Sequence, residues 1–260
     1  MVLCERGGRL SVAMILAAGR GERMRPLTDT TPKPLLVAGG KPLVVWQIES
    51  LARAGFREIV INAAHLADAL MHALGDGSRY GVRIHWSREP EPLEPAGGIA
   101  TAMPLCPEGP LVVVAGDIYT DFDYAALRAR ADTMALDDAS PRVHLVMVPN
   151  PAYHPEGDFA LEGSRIHWDG PSRLTFGSLA VYDTALFREL PRGVKLKMLP
   201  LYHAWIRAGF VSGERYDGPW ANVGTPAELA ALDGALGASP DAAASTAAGS
   251  QAGAARTTLR

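Results

Sequence analysis

Short apolar runs and helically periodic segments alternate through the first half of the chain. The runs predict buried strands, and the segments between them have apolar residues three and four positions apart, which predicts helices. Such alternation is typical of parallel βαβ units with helices on both faces of a sheet. The predicted strands are 12–18, 58–62, 82–86 and 111–115, and the predicted helices are 42–54, 65–74, one ending at Met103, and 124–135.

The second half has a less regular pattern. Residues 149–159 contain three prolines and a glycine, and turn-rich loops of this kind often carry binding residues. Thr225 is a predicted N-cap of the last helix. Strands are predicted at 143–148, 163–168, 174–182 and 211–216, the last of antiparallel type, and helices at 195–208 and 226–236.

The composition narrows the class of protein. The chain has 260 residues, 48% of them hydrophobic, which suffices for one sizeable core. A formal net charge of −3 argues against a nucleic-acid partner. Cys4 and Cys106 have neither metal-ligand nor disulfide spacing, which suits a reducing cytoplasm. No stretch is long and apolar enough to predict a membrane span.

The two ends differ from the middle of the chain. Residues 1–11 are interpreted as an N-terminal extension or the product of an upstream start codon, and residues 12–236 as one domain. Arg6 and Arg9 precede an apolar run as in a signal peptide, but the run is short and forms the first predicted strand. Residues 237–260 are rich in Ala, Gly and Ser and predict a disordered tail.

The most informative segment follows the first strand. Gly19 and Gly21 can bring backbone N–H groups close to a polyphosphate, and cations follow at Arg20, Arg23, Arg25 and Lys33. The alternative is an ordinary strand, turn and basic loop. Neither a dinucleotide fingerprint nor a Walker loop fits the spacing.

This segment resembles the nucleotide-binding signature of the sugar-1-phosphate nucleotidyltransferases. The shared features are Leu-Ala-Ala-Gly at 16–19, Gly-x-Arg-Met at 21–24 and Pro-Lys-Pro at 32–34. The resemblance implies a Rossmann-like three-layer α/β/α fold, with a mostly parallel central sheet and a small antiparallel sugar-binding part. It also implies that a nucleotide is bound by Ala17, Ala18, Gly19, Gly21, Glu22, Arg23, Lys33, Glu94, Gly97, Gly98 and Ala115.

Glu94, Gly97 and Gly98 belong to a second motif, Leu-Glu-Pro-Ala-Gly-Gly at 93–98. A glycine pair at a helix start is a second place for backbone contact with a ligand, although the residues alone also fit a proline-rich surface loop. In the family the matching segment reads the base and ribose. Pro95 stands where the family usually has Thr.

Asp117 follows the strand at 111–115 and is a candidate Mg²⁺ ligand, because α/β folds bind ligands at strand carboxyl ends. A helix N-cap is the alternative. The family has a metal-binding Asp here, usually preceded by Asn-Gly, whereas this chain has Ala115-Gly116. The family's second metal-binding Asp corresponds to Asn222, which either ligates the ion or caps a turn.

Within the family, the resemblance is closest to the N-acetylmuramate-1-phosphate uridylyltransferases of cell-wall recycling. It implies UTP and a sugar 1-phosphate as substrates, Mg²⁺ as cofactor, and a cytoplasmic monomer or small homo-oligomer. There are two alternatives. One is an enzyme that transfers a nucleotide from dTTP or GTP to a hexose 1-phosphate, and the other is a non-catalytic protein that binds a nucleotide sugar. The implied catalytic residues are Arg23, Lys33 and Asp117, and the implied sugar-phosphate ligands are Asn150, Glu156 and Asp158.

Overall fold

The computed structural model describes residues 12–136 and 141–237. The expected extension at 1–11, part of the polar loop after the helix predicted at 124–135, and all but the first residue of the expected tail lie outside these ranges. The strands are β1 Val12–Leu16, β2 Val37–Ala38, β3 Lys41–Pro42, β4 Glu58–Ala63, β5 Arg83–Arg88, β6 Pro110–Ala115, β7 Ile118–Thr120, β8 Val143–Val148, β9 Phe159–Glu162, β10 Arg165–His167, β11 Arg173–Asp183, β12 Val211–Arg215 and β13 Trp220–Asn222. The α-helices are α1 Leu27–Thr30, α2 Leu43–Arg53, α3 Ala67–Leu74, α4 Glu94–Ala102, α5 Tyr124–Met134, α6 Ala185–Arg188, α7 Leu199–Arg207 and α8 Pro226–Gly237.

The central sheet is buried on both faces. Its order is β5-β4-β1-β6-β11-β8-β12-β10-β9, and the pairs among β5, β4, β1 and β6 are parallel. Along β1, Ala13 and Ile15 enter the core on one face, while Val12 and Met14 enter the core on the other. This is the strand alternation that a sheet covered by two layers requires. The predicted α/β class with three layers is confirmed.

β11 changes the direction of the sheet, because it runs antiparallel to both β6 and β8. The prediction for β12 was wrong in part, since β12 is parallel to β8 and antiparallel only to β10. The β9–β10 hairpin returns to pair with the start of β11. The second half of the sheet therefore curls around its own apolar residues, including Phe159 and Ile166.

The end of the described chain returns to the beginning. β13 pairs with β7, and α8 packs against β2, where Asp233 Oδ1 accepts from the backbone N–H of Gly39 at 2.8 Å. A separate apolar cluster fills this contact and contains Met24, Leu36, Ala38, Leu43, Val223 and Leu232. Met24, in the loop after β1, thus packs in one cluster with Val223 and Leu232 near the end of the described chain.

None of the helices within residues 12–136 and 141–237 combines the length and the apolar character needed to cross a bilayer.

Candidate active site

A cleft of about 740 Å³ crosses the carboxyl ends of β4, β1 and β6 and continues along β11. Ligands bind at this edge of open α/β sheets. Its walls are the loop after β1, the segment before α4, and residues of β11 and α7. The lining residues include Ala18, Gly19, Arg20, Gly21, Glu22, Asn62, Glu89, Glu91, Leu93, Glu94, Pro95, Ala115, Asp117, Phe176, Ser178, Tyr182, Lys195, Met198 and Tyr202.

The glycines after β1 have different roles. Gly21 has φ +64°, and a Cβ there would lie 3.0 Å from Thr28 Cγ2 and 3.1 Å from Lys33 Cβ. The Thr28 hydroxyl also donates to the Gly21 carbonyl at 2.8 Å, which fixes the turn. A Cβ at Gly19 would meet nothing within 4 Å, so at this position the backbone is open to a ligand. Both glycines line the cleft.

A buried polar chain joins this loop to the segment before α4. The Ala17 N–H donates to Asn62 Oδ1 at 2.7 Å, and Asn62 Nδ2 donates to Glu89 Oε1 at 2.7 Å. Glu89 Oε2 accepts from the Leu93 N–H at 3.1 Å. Glu89 is only 2% exposed, and burial raises the pKa of its carboxyl although the bonds from Asn62 and Leu93 oppose the rise.

The sequence did not indicate these buried hydrogen bonds, because Glu89 opens a proline-rich stretch that is typical of a surface loop. Asn62 ends a predicted strand, and that position is the one signal that could have found them.

The glycine pair of the second motif lies behind the cleft wall. Gly97 packs against backbone, since a Cβ there would lie 2.2 Å from the Val194 carbonyl oxygen. Its N–H donates to the Leu196 carbonyl at 3.2 Å, and the Leu196 N–H donates to Leu93 at 3.0 Å. Gly98 allows the Asn62–Glu89 pair to approach, because its Cβ would lie 2.7 Å from Asn62 Nδ2. Glu94, which precedes the pair, does line the cleft.

The same contact corrects a helix boundary. The helix predicted at 195–208 begins only at Leu199. Residues 193–198 form no helix, because the Leu196 backbone groups are bonded to the segment beside α4.

Lys33 and Asp117 form an ion pair; Asp117 lines the cleft, whereas Lys33 lies behind this lining. Lys33 Nζ donates to Asp117 Oδ2, and Lys33 is 9% exposed. Asp117 follows β6, where the Gly116 N–H donates to the Leu16 carbonyl at 2.9 Å. β7 begins directly afterwards, so Asp117 is not a helix N-cap; Asp123 caps α5 instead, accepting from the Ala125 N–H.

Asn222 is adjacent to Asp117 through the backbone. It pairs with Ile118, and the Val223 N–H donates to the Asp117 carbonyl at 3.1 Å. Its side chain is hydrogen-bonded to Tyr153 and lines a neighbouring groove. In the part of the chain that the structure describes, no three His, Cys, Asp or Glu side chains are grouped for a metal.

The two loop arginines point to different places. Arg20 lines the cleft. Arg23 lies against the loop before α8, where a Cβ at Gly224 would be 2.9 Å from Arg23 Nη2. Glu228 Oε2 accepts from the Gly224 N–H at 2.7 Å beside it. Arg23, expected at the phosphates, is therefore next to the carboxyl-terminal loop in this structure.

Asn150, Glu156 and Asp158 hold a loop beside the cleft and do not line it. Asn150 Nδ2 donates to the Pro155 carbonyl at 3.0 Å, and Asp158 Oδ2 accepts from the Phe176 N–H at 2.8 Å. The Arg173 guanidinium donates to four carbonyl oxygens in and near this loop, those of Glu156, Gly157, Asp158 and Trp168.

The second wall of the cleft is formed by residues that the sequence did not single out. The hydroxyls of Tyr182 and Tyr202 are hydrogen-bonded to each other, and burial raises the pKa of both phenols. Phe176 and Met198 add apolar surface on the same side, and Lys195 adds a cation.

Comparison with known proteins places the chain in a family. The nucleotidyl transferase family matches residues 12–151. N-acetylmuramate alpha-1-phosphate uridylyltransferase of Neisseria meningitidis is 46% identical over 230 residues, covering 87% of this chain and 98% of the relative. Mannose-1-phosphate guanyltransferase of Emericella nidulans is 30% identical over 84% of this chain, which spans 62% of that longer protein.

Two solved structures share the fold. The inositol-1-phosphate CTP transferase from T. maritima superposes with a TM-score of 0.70 at 18% identity, covering 88% of this chain and 97% of that one. HddC from Yersinia pseudotuberculosis, complexed with GMP-PN, gives a TM-score of 0.69 at 18% identity over 87% of this chain and 100% of its own. The matched family and the near full-length relative confirm the resemblance found in the loop after β1. The chain belongs to the nucleotidyl transferase family.

Proposed function

We propose that the protein transfers the uridylyl group of UTP to N-acetylmuramate 1-phosphate, giving UDP-N-acetylmuramate and pyrophosphate. The observation that carries the proposal is the alignment with the Neisseria uridylyltransferase, which extends over nearly all of that protein. The reaction would serve the reuse of cell-wall sugars in the cytoplasm.

The arrangement in the cleft suits this chemistry. The Gly19–Gly21 loop at the end of β1 offers backbone N–H groups to the β- and γ-phosphates, with Arg20 beside it. We assign the Glu89–Pro95 side of the cleft to the base and the β11 side to the sugar, the two sides that flank the carboxyl ends of β1 and β6. The α-phosphate then lies between them, at Lys33 and Asp117.

The chemical step needs no general base. The attacking oxygen belongs to a phosphate whose second pKa is about 6, so it is already ionised at neutral pH. It attacks the α-phosphorus in line, the new P–O bond forms, and the bond to pyrophosphate breaks. Lys33 neutralises charge on the α-phosphate, and the remaining contribution is positioning. Arg23 would reach the phosphates only if it leaves its position beside Gly224.

The residues present fit a Mg²⁺ ion. Mg²⁺ takes one or two carboxylates together with phosphate oxygens and water, and Asp117 is a carboxylate at the cleft floor. When bound, the ion would withdraw charge from the α-phosphate. Asp117 would hold it, and Asn222 would be the second protein ligand if its amide turns from Tyr153.

The alternatives differ in substrate or in turnover. Because one relative is a guanyltransferase, transfer from a nucleotide other than UTP is the first alternative. The second alternative is a protein that binds a nucleotide sugar without turnover. It rests on Asn222 and Ala115, which stand where the family usually has Asp and Asn. Pyrophosphate release should be measured with UTP, dTTP, GTP and CTP against N-acetylmuramate 1-phosphate, N-acetylglucosamine 1-phosphate and glucose 1-phosphate. We expect the highest kcat/KM for UTP with N-acetylmuramate 1-phosphate. A higher value for another pair contradicts the substrate assignment, and no release from any pair contradicts catalysis.

A further inference from the structure

One cation on the second wall of the cleft has no role in the steps above. Lys195 is exposed and lines the cleft three residues before Met198, which lies with Tyr202 on the β11 side. No ion pair or side-chain hydrogen bond joins Lys195 to any residue in 12–136 or 141–237. Its charge is therefore available to a ligand.

The backbone at Lys195 is held in place from both sides. The Val194 carbonyl lies against Gly97, where no Cβ would fit, and Leu196 exchanges backbone hydrogen bonds with Gly97 and Leu93. A flexible lysine side chain thus starts from a fixed point on the wall. This arrangement places one positive charge in the cleft lining, between the segment 93–97 and Met198.

The cleft lining has more acidic than basic side chains. Among the described residues that line the cleft, the cations are Arg20 and Lys195. Arg20 follows Gly19 in the phosphate loop, so the triphosphate is its natural partner. The acidic lining residues are Glu22, Glu89, Glu91, Glu94 and Asp117. An anionic group on a sugar in the β11 half would have Lys195 as its one nearby cation from this lining set.

N-acetylmuramate differs from N-acetylglucosamine by a lactyl ether that carries a carboxylate. We propose that Lys195 binds this carboxylate and selects N-acetylmuramate 1-phosphate over sugar phosphates without it. The inference rests on the proposed function, and it adds a specificity-determining residue to the sugar half of the site. The physical basis is that an ammonium–carboxylate hydrogen bond is stronger than a neutral one and that a charged partner discriminates against an analogue lacking it.

The test compares two acceptors with two enzymes. One acceptor is N-acetylmuramate 1-phosphate, and the other is its derivative with the lactyl carboxylate converted to the primary amide. At saturating UTP, the wild type should lose about tenfold to 150-fold in kcat/KM on the amide, the range expected for a charged hydrogen bond. Lys195→Ala should show the same loss on the acid and no further loss on the amide.

Controls separate this role from others. Lys197→Ala removes an exposed lysine of the same segment that does not line the cleft, and it should keep the wild-type ratio of the two acceptors. Lys195→Arg should keep part of the preference. The KM for UTP and the melting temperature of Lys195→Ala should match the wild type.

The outcomes are distinguishable. If Lys195→Ala keeps the wild-type ratio between acid and amide, or if its main effect is a higher KM for UTP with both acceptors, the inference is overturned while the proposed function stands. If the wild type uses neither acceptor, the proposed function is wrong and the inference falls with it.

Discussion

Asn62 donates its side-chain amide to Glu89 Oε1 at 2.7 Å, across 27 positions of sequence, and this bond joins the loop after β1 to the segment before α4 on one side of the cleft. Asn62 Oδ1 fixes the Ala17 N–H, and Glu89 Oε2 fixes the Leu93 N–H. Each loop therefore has one backbone amide tied to a shared buried pair. A change in either side chain is expected to move both loops.

Glu89→Gln tests this coupling. Both Glu89 oxygens accept from N–H donors, whereas glutamine has one acceptor oxygen, so one buried donor loses its partner. We expect the free energy of unfolding to fall by about 1–3 kcal/mol, and the KM for UTP to rise. Chemical denaturation and initial rates are the measurements. Glu91→Gln, in the same stretch, is the matched control for stability, and equal effects of the two substitutions would contradict the coupling.

Glu89 also predicts a pH dependence. Burial raises its pKa above the ordinary 4.5, so the folded protein binds a proton at this carboxyl more readily than the unfolded chain does. Its contribution to stability is fully present below about pH 4.5 and is lost as the pH rises through the folded pKa. The difference in free energy of unfolding between wild type and Glu89→Gln should therefore shrink with rising pH above 4.5. A difference that grows over this range would contradict the direction.

The Lys33–Asp117 pair predicts loss of turnover without loss of fold. Asp117→Ala should nearly abolish the rate, because the cleft floor loses its carboxylate. Lys33→Ala should reduce the rate tenfold or more, since one charge-assisted contact contributes about 1.5–3 kcal/mol. Lys41→Ala removes a lysine paired with Glu49 outside the cleft and is the control. Near wild-type rates for Lys33→Ala would contradict the role of the pair.

Magnesium dependence tests Asn222. Asn222→Asp adds a negative charge and should lower the Mg²⁺ concentration needed for half-maximal rate. Asn222→Ala should raise it, by less than the effect of Asp117→Ala, because a neutral ligand is lost. The measurement is initial rate against Mg²⁺ concentration at saturating UTP. If both Asn222 variants give the wild-type curve, the residue serves its bond with Tyr153 instead.

Gly97→Ala should destabilise the protein although it replaces glycine inside a helix. Its Cβ would lie 2.2 Å from the Val194 carbonyl oxygen, and such overpacking costs about 1–3 kcal/mol. Gly234→Ala in α8 is the matched control, because its Cβ meets nothing within 4 Å. That substitution should be neutral or stabilise by about 0.5–1 kcal/mol. Thermal unfolding of both variants decides, and a stabilised Gly97→Ala would contradict the contact.

The sequence predicted those parts of the fold that depend on local pattern. β1 and β6 are apolar at almost every position and lie within two residues of their predicted bounds. The hydrophobic pattern predicted the wrong secondary structure where hydrogen bonds to a distant part of the backbone determine the conformation. Residues 195–198 have helical propensity, but Leu196 is bonded to Leu93 and Gly97.

The candidate site divides in the same way. Asp117 closely follows β6, which the sequence displays, and Lys33 belongs to the motif that the sequence displays after β1; the structure pairs the two side chains. Glu89 itself has no local mark of burial, because it stands between Arg88 and Pro90 and is buried by α4 packing against it. Arg23 lies against Gly224 in the loop before α8, 201 positions later in the chain (224 − 23), so its place could not be read from its own motif.

The bond between Gly39 and Asp233 has a consequence for biosynthesis. The two residues are 194 positions apart, so at about 5–20 residues per second the ribosome reaches Asp233 roughly 10 to 40 seconds after Gly39. During that time Met24 and Leu36 lack Val223 and Leu232, the apolar partners that support them in the finished protein. A nascent chain can form its parallel strands early, but the loop after β1 gains its support only when the last helix has been translated.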